Sequence, residues 1–208
     1  MNTKTYWDYS NLEDEFLNIF DDIFIKTGSL LRVDNIISSR SYLLYSICKK
    51  ASLMDGDFVE CGTYLGSSAA FMAASCKTTL HLFDSWEGVS SLTEFDNNLY
   101  LEQSFKCDIN SAKKNLSKYN NINFYKGWIP ERFNEIENKS FSVVHIDVDL
   151  YEPTKASIEF FWPKIIPGGF MVIDFHDGNS HGVKKAANDY FKEDQIDMFL
   201  TEVAVIKK

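Results

Sequence analysis

Apolar positions recur along this chain at two different periods, and the period changes near Asp57. Leu12, Phe16, Ile19, Phe20 and Ile23 fall at helical spacing behind Ser10 or Asn11 as a cap, and Gly28 ends that run. A second helix is predicted from about residue 34 to 50 through Ile36, Ile37, Leu43, Leu44 and Ile47. Beyond Asp57 short apolar runs alternate with helical stretches. Residues 58–61, 79–83, 122–125, 141–146 and 170–173 read as strands, and FSVVHI at 141–146 is apolar enough for burial on both faces. Residues 67–76, 110–119 and 182–191 read as helices, as does a segment opened by Pro153 and running through Trp162. Residues 196–200 and 203–206 suit a terminal hairpin, and Pro167-Gly168-Gly169 suits a turn before the fifth strand.

Strands separated by helices make parallel βαβ units with right-handed crossovers. The fold expected is therefore a doubly wound, Rossmann-like α/β sheet, mostly parallel, with a C-terminal antiparallel hairpin and N-terminal helices. No repeat, Pro-rich linker or like-charge block marks a boundary. Residues 1–50 read as a helical cap or lid and 51–208 as one compact unit.

In such sheets ligands bind outside the carboxyl ends of the strands. Four of the five ends carry acids: Glu60-Cys61-Gly62, Asp84-Ser85, Asp147-Val148-Asp149 and Asp174-Phe175-His176-Asp177. Gly62 and Gly66 allow a tight turn and close backbone approach, and Ser67-Ser68 open the next helix. Tyr64 and Ser67 stand where G-x-G-x-x-G would need glycine, which argues against a dinucleotide and a nicotinamide-dependent oxidoreductase. An acidic residue with a looser glycine loop suits a cationic, phosphate-free ligand such as S-adenosylmethionine, although many βα turns carry two glycines. Asp84 is placed to accept ribose hydroxyls, or else is a solvated turn residue. Gly127 permits close approach, and Trp128 offers a flat face to a purine or substrate ring, unless it packs in the core. Asp147 and Asp174 could hold a hard divalent cation that acidifies and orients a bound hydroxyl, with a carboxylate taking the proton; the plain alternative is carboxylates facing water. His81 reads as structural, His145 as a supporting group and His181 as a loop residue, none at zinc spacing.

Charge narrows the partners. With 21 Lys and Arg against 30 Asp and Glu the net charge is −9, which repels polyphosphate backbones and disfavours nucleic acid. No apolar run approaches the ~18 residues of a membrane span. The first residues lack the basic and apolar regions of an export signal, and four cysteines without CxxC spacing read as reduced thiols, so a cytoplasmic location is expected.

The strings GDFVECG at 56–62, FDSWEG at 83–88, HIDVDLYEPT at 145–154 and PGGF at 167–170 resemble the macrocin O-methyltransferase (TylF-type) family, over roughly residues 40–191. The resemblance implies a class I methyltransferase sheet and an S-adenosylmethionine-dependent O-methyltransferase that acts, with magnesium, on a sugar hydroxyl of a small molecule or glycoside. It implies that Glu60, Gly62, Tyr64, Gly66, Ser67 and Ser68 surround the methionine part of the cofactor. Asp84 with Ser85 would meet the ribose, and Gly127 with Trp128 the adenine. Asp147 would be metal ligand and general base, and Asp174 a second ligand. The family usually carries two adjacent aspartates after the fifth strand; here Asp174 is followed by Phe175, so His176 as a catalytic group or Asp177 as a ligand would have to reach in. The N-terminal region is shorter than in the macrolide enzymes, so the acceptor lid is expected to differ. A homo-oligomer and a non-catalytic binding module of this fold both remain open.

Overall fold

The computed structural model describes residues 13–27, 32–33, 36–37, 39–97, 103–175, 180–199 and 202–208. Helix α1 (Asp14–Thr27) starts with Asp14 and Glu15 and ends near Lys26, charges that complement the helix dipole. It buries Phe16, Ile19, Phe20 and Ile23. The helix expected from residue 34 begins later, as α2 (Ser39–Ala51). Ile36 and Ile37 instead form β2 (Ile36–Ile37), antiparallel to β1 (Arg32–Val33). Two β-branched residues in succession favour extended backbone even where their spacing continues a helical stripe. Asp34 lies outside the described residues.

The main sheet follows from β3 (Asp57–Cys61), β4 (Leu80–Asp84), β5 (Ile122–Lys126), β6 (Phe141–Ile146), β7 (Ile165–Asp174), β8 (Asp197–Phe199) and β9 (Val203–Lys207). The order is β5-β4-β3-β6-β7-β9-β8, with β3 to β7 parallel and β9 antiparallel to both its neighbours. Helices α3 (Ser67–Ser75), α4 (Ile109–Asn115), α5 (Tyr151–Phe161) and α6 (His181–Tyr190) connect the strands. His181 thus opens a helix and is not a loop residue.

Every residue of β6 is buried, and its period of two divides the core. Val143 joins a cluster with Phe16, Phe20, Leu44 and Phe71 from α1, α2 and α3. Val144 and Ile146 face the other way, against Ile158, Phe161, Val183 and Ala187 of α5 and α6. The fifth strand is longer than expected. Pro167-Gly168-Gly169 lies inside β7, where the pairing with β6 slips between Phe141 and Val143. A Cβ on Gly169 would meet the Ser142 carbonyl oxygen at 2.9 Å, so the motif is a bulge pressed against the neighbouring strand and not a turn. Among the described residues no helix is long and apolar enough to cross a membrane.

Candidate functional site

Strands β3 and β6 are neighbours, yet the chain leaves β3 toward β4 and leaves β6 toward β7. Their carboxyl ends form the switch point at which an open α/β sheet leaves a crevice. The ends are tied together: the Asp147 amide donates to the Cys61 carbonyl at 2.8 Å, and the Gly62 amide to that of Phe83 at 2.8 Å. Above them opens a cavity of about 1080 Å³. Of the residues singled out in the sequence, Gly62, Tyr64, Ser67, Ser68, Asp84, Ser85, Trp128, Asp147 and Asp174 line it.

Asp84 organises one side. Its Oδ2 accepts the Thr63 and Tyr64 amides, both at 2.8 Å, and its Oδ1 accepts the Trp86 amide at 2.6 Å. A carboxylate has about four acceptor sites, so these bonds leave roughly one for a ligand hydroxyl. Tyr64 and Trp86 have left-handed backbone, φ +48° and +54°, which non-glycine residues adopt at a cost. The three bonds to Asp84 offset that cost, and the indole Nε1 of buried Trp86 donates to the Tyr64 carbonyl at 2.9 Å.

At the other side His145, Asp147 and Asp174 can each aim a donor atom to within 4.8 Å of one another. Glu60 is wholly buried behind them. Its Oε1 lies 3.1 Å from His145 Nδ1, and its Oε2 has no hydrogen-bond partner among the described residues. Burial works against a charge on His145, but the Glu60 hydrogen bond and the charges of Glu60, Asp147 and Asp174 outweigh it and hold the imidazole above its usual pKa. Arg40, the second residue of α2, reaches in from the N-terminal region: its Nη1 donates to Asp174 Oδ1 at 2.8 Å, and its Nε lies 3.7 Å from Glu202. Burial opposes this charge too, and Asp174 and Asp147 overcome it.

Three aromatic rings remain about 40 % exposed and line the cavity: Tyr64, Phe105 and Trp128. Tyr64 and Phe105 meet edge to face at 5.7 Å. Trp128 is therefore a wall of the cavity and not a core residue.

Three other residues singled out in the sequence do not line the cavity. Glu60 serves His145. Gly66, at φ +89°, precedes α3 and packs on Leu116, where a Cβ would lie 2.8 Å from that side chain. Gly127 donates to the Asp84 carbonyl at 3.0 Å and ties β5 to β4. His176 and Asp177 lie outside the described residues. Phe175 is buried in the apolar cluster under α6, so the position after Asp174 adds no donor to the site. Sequence reasoning missed Arg40, whose partner is 134 residues away, and Phe105, whose segment shows no periodicity.

A family model described as macrocin O-methyltransferase (TylF) matches residues 45–207. The 8-demethyl-8-(2,3-dimethoxy-α-L-rhamnosyl)-tetracenomycin-C 4'-O-methyltransferase of Streptomyces olivaceus is 26 % identical over 77 % of this chain and 65 % of its own length. Mycinamicin III 3''-O-methyltransferase of Micromonospora griseorubida is 24 % identical over 61 % of this chain and 59 % of its own. The chain thus spans less than two thirds of the length of these relatives. Among solved structures, the calicheamicin methyltransferase CalS11 superposes with a TM-score of 0.70 at 16 % identity over 100 % of this chain and 99 % of that one. The O-methyltransferase NovP gives 0.69 at 15 % identity over 94 % and 99 %. At those identities the likeness concerns the fold.

Proposed function

The chain belongs to the macrocin O-methyltransferase (TylF) family, and from that premise we propose that it carries a methyl group from S-adenosylmethionine to a hydroxyl of a small sugar-bearing acceptor. The observation that carries the reading is the convergence of Asp84, Asp147 and Asp174 on one cavity at the switch point. The relative from Streptomyces olivaceus acts by name on a rhamnosyl-bearing compound, which supports a sugar hydroxyl as the acceptor group.

The cavity fits the nucleoside. Gly62, Tyr64, Ser67 and Ser68 would meet the methionine part, Asp84 and Ser85 the ribose, and Trp128 the adenine, with Glu60, Gly66 and Gly127 shaping the wall from behind. When bound, S-adenosylmethionine supplies an electrophilic methyl group on a sulfur that leaves as a neutral thioether. The residues of this chain align the acceptor oxygen and remove its proton. Asp147 is the base proposed: it lines the cavity beside Asp174, and the acceptor O–H proton passes to its carboxylate as the oxygen–methyl bond forms. Thr27, Arg40, Ser41 and Leu44 make the cavity wall contributed by residues 1–50, in keeping with a cap over the acceptor.

The expected magnesium fits the described donors poorly. One of the two carboxylates is already bonded to Arg40, the imidazole offers a nitrogen and not an oxygen, and Phe175 adds no oxygen. Three buried cysteine thiols and a half-buried fourth, all free, are compatible with a reducing compartment and support a cytoplasmic location as part of this reading.

Isothermal titration with S-adenosylhomocysteine tests the reading. Binding in the micromolar range is expected, and no heat at millimolar ligand would overturn it.

A further inference from the structure

We propose that the guanidinium of Arg40 takes the place of a divalent cation between the strand ends, so that this site works without a metal ion. The inference gives the methyl-transfer reading its electrostatics, but its principal test does not depend on that reading.

The placement is specific. Arg40 sits in the first turn of α2, whose Leu44, Tyr45, Ile47 and Cys48 are buried in the core cluster shared with α1, α3 and the sheet, so the helix is fixed and its first turn lies at the carboxyl ends of β6 and β7. The Arg40 side chain is only 26 % exposed and that of Asp174 only 10 %, with 2.8 Å between nitrogen and oxygen. Glu202, just before β9, holds the other edge of the guanidinium at 3.7 Å. A carboxylate so far out of water needs a fixed positive partner, and a guanidinium is charged at every working pH. A divalent ion on Asp174 would have to displace that partner or share one carboxylate with it.

The surrounding donors point the same way. Beyond Asp147 and Asp174 the cluster offers one imidazole nitrogen, Nε2, because Nδ1 is engaged by Glu60, and no third oxygen. Phe175 is turned into the apolar core. A hard cation prefers several oxygens, and the described cluster offers two carboxylates, one of them bonded to Arg40. A guanidinium can do the electrostatic part of a cation's work. It steadies negative charge on the acceptor oxygen while Asp147 takes the proton, and the atoms balance with no further reactant.

The test uses the whole protein and Mn²⁺ alone, followed by its EPR signal. The wild type is expected to bind no Mn²⁺ up to about 1 mM. Arg40→Met should uncover a site at least about tenfold tighter, and adding Asp174→Asn should remove it again. Arg40→Gln serves the same purpose if the Met variant does not fold, and S-adenosylhomocysteine titration reports whether each variant keeps its pocket. Turnover should also survive EDTA unchanged. The proposal is overturned if the wild type binds Mn²⁺ below about 0.1 mM and Asp174→Asn abolishes that binding. It is also overturned if turnover lost to EDTA returns with Mg²⁺, or if neither Arg40 variant gains a site. Failure to bind S-adenosylhomocysteine would sink methyl transfer and leave the Mn²⁺ result standing.

Discussion

Gly62 lies so close to Asp147 that a Cβ at position 62 would sit 1.9 Å from the Asp147 carbonyl oxygen. The glycine thus lets the end of β3 pass under the end of β6, and its φ of +86° is a conformation other residues avoid. Two demands, space and backbone, fall on one residue. Gly62→Ala is expected to lose at least about 2–3 kcal/mol of stability, because neither backbone segment can yield without breaking the sheet end. Urea unfolding followed by fluorescence checks it. A loss under about 0.5 kcal/mol would mean that the two strand ends are not locked together.

Asp84 fixes the neighbouring loop through three backbone amides and keeps roughly one acceptor site, which the proposed function assigns to a ribose hydroxyl. Asp84→Asn replaces one oxygen by an N–H₂ group that faces donors. Either the two amides of Thr63 and Tyr64 or the one of Trp86 then loses its partner. A fall of about 1–3 kcal/mol in stability is expected, together with at least a tenfold weaker S-adenosylhomocysteine affinity. Unchanged affinity in a destabilised protein would confine Asp84 to loop support.

Much of this arrangement is legible in the sequence, for physical reasons. FSVVHI announces a strand buried on both faces, and the strand-end rule then turns Asp84, Asp147 and Asp174 from a scatter of acids into neighbours. Other parts are hidden. Glu60 sits in a central strand whose last four residues are all buried, so the motif that names it does not reveal that it faces His145 and not the cavity. Ile36 and Ile37 continue the helical stripe of α2 while adopting strand geometry, which masks where the helix starts and what Arg40, in its first turn, can reach. A bulge such as the one at Gly169 reads as a turn, because glycine and proline mark both and only pairing across the sheet separates them.

The far end of the sheet carries a pH-dependent contact. His81, buried in β4, places Nε2 3.1 Å from Asp57 Oδ2 and Nδ1 2.9 Å from Tyr125 Oη, contacts that a neutral ring satisfies by donating to the carboxylate and accepting from the hydroxyl. Burial lowers the His81 pKa more than the charge of Asp57 raises it. Burial would raise that of Asp57, but the hydrogen bonds from His81 and the Thr79 amide outweigh it and lower the value. Both shifts have one sign: the unfolded chain binds the proton more readily, so this contribution is present above the ordinary histidine pKa and is lost as pH falls from about 6.5. His81→Gln keeps a donor and cannot titrate. The stability advantage of wild type over His81→Gln should therefore shrink between pH 7 and 5, by at most about 1.4 kcal/mol per pH unit. A constant or growing gap in urea midpoints over that range would contradict the depressed pKa.

Asp147 separates chemistry from binding. It stands at the end of β6 with its amide bonded to Cys61 and its carbonyl against Gly62, so its backbone belongs to the scaffold whatever its side chain does. Asp147→Asn keeps the shape and the backbone bonds but removes the proton acceptor. If Asp147 is the base, kcat should fall by about 10²–10⁴. The affinity for S-adenosylhomocysteine should stay within about tenfold, or ~1.4 kcal/mol, because the proposed function gives the side chain to the acceptor and not to the cofactor. Arg40 and Asp174 stay paired in this variant, so its loss of activity cannot be assigned to a collapsed ion pair. Steady-state kinetics with a sugar-bearing acceptor, beside calorimetry on the same preparation, checks both halves. Turnover near the wild-type rate would exclude Asp147 as the base, and a joint collapse of kcat and cofactor affinity would return it to a structural role.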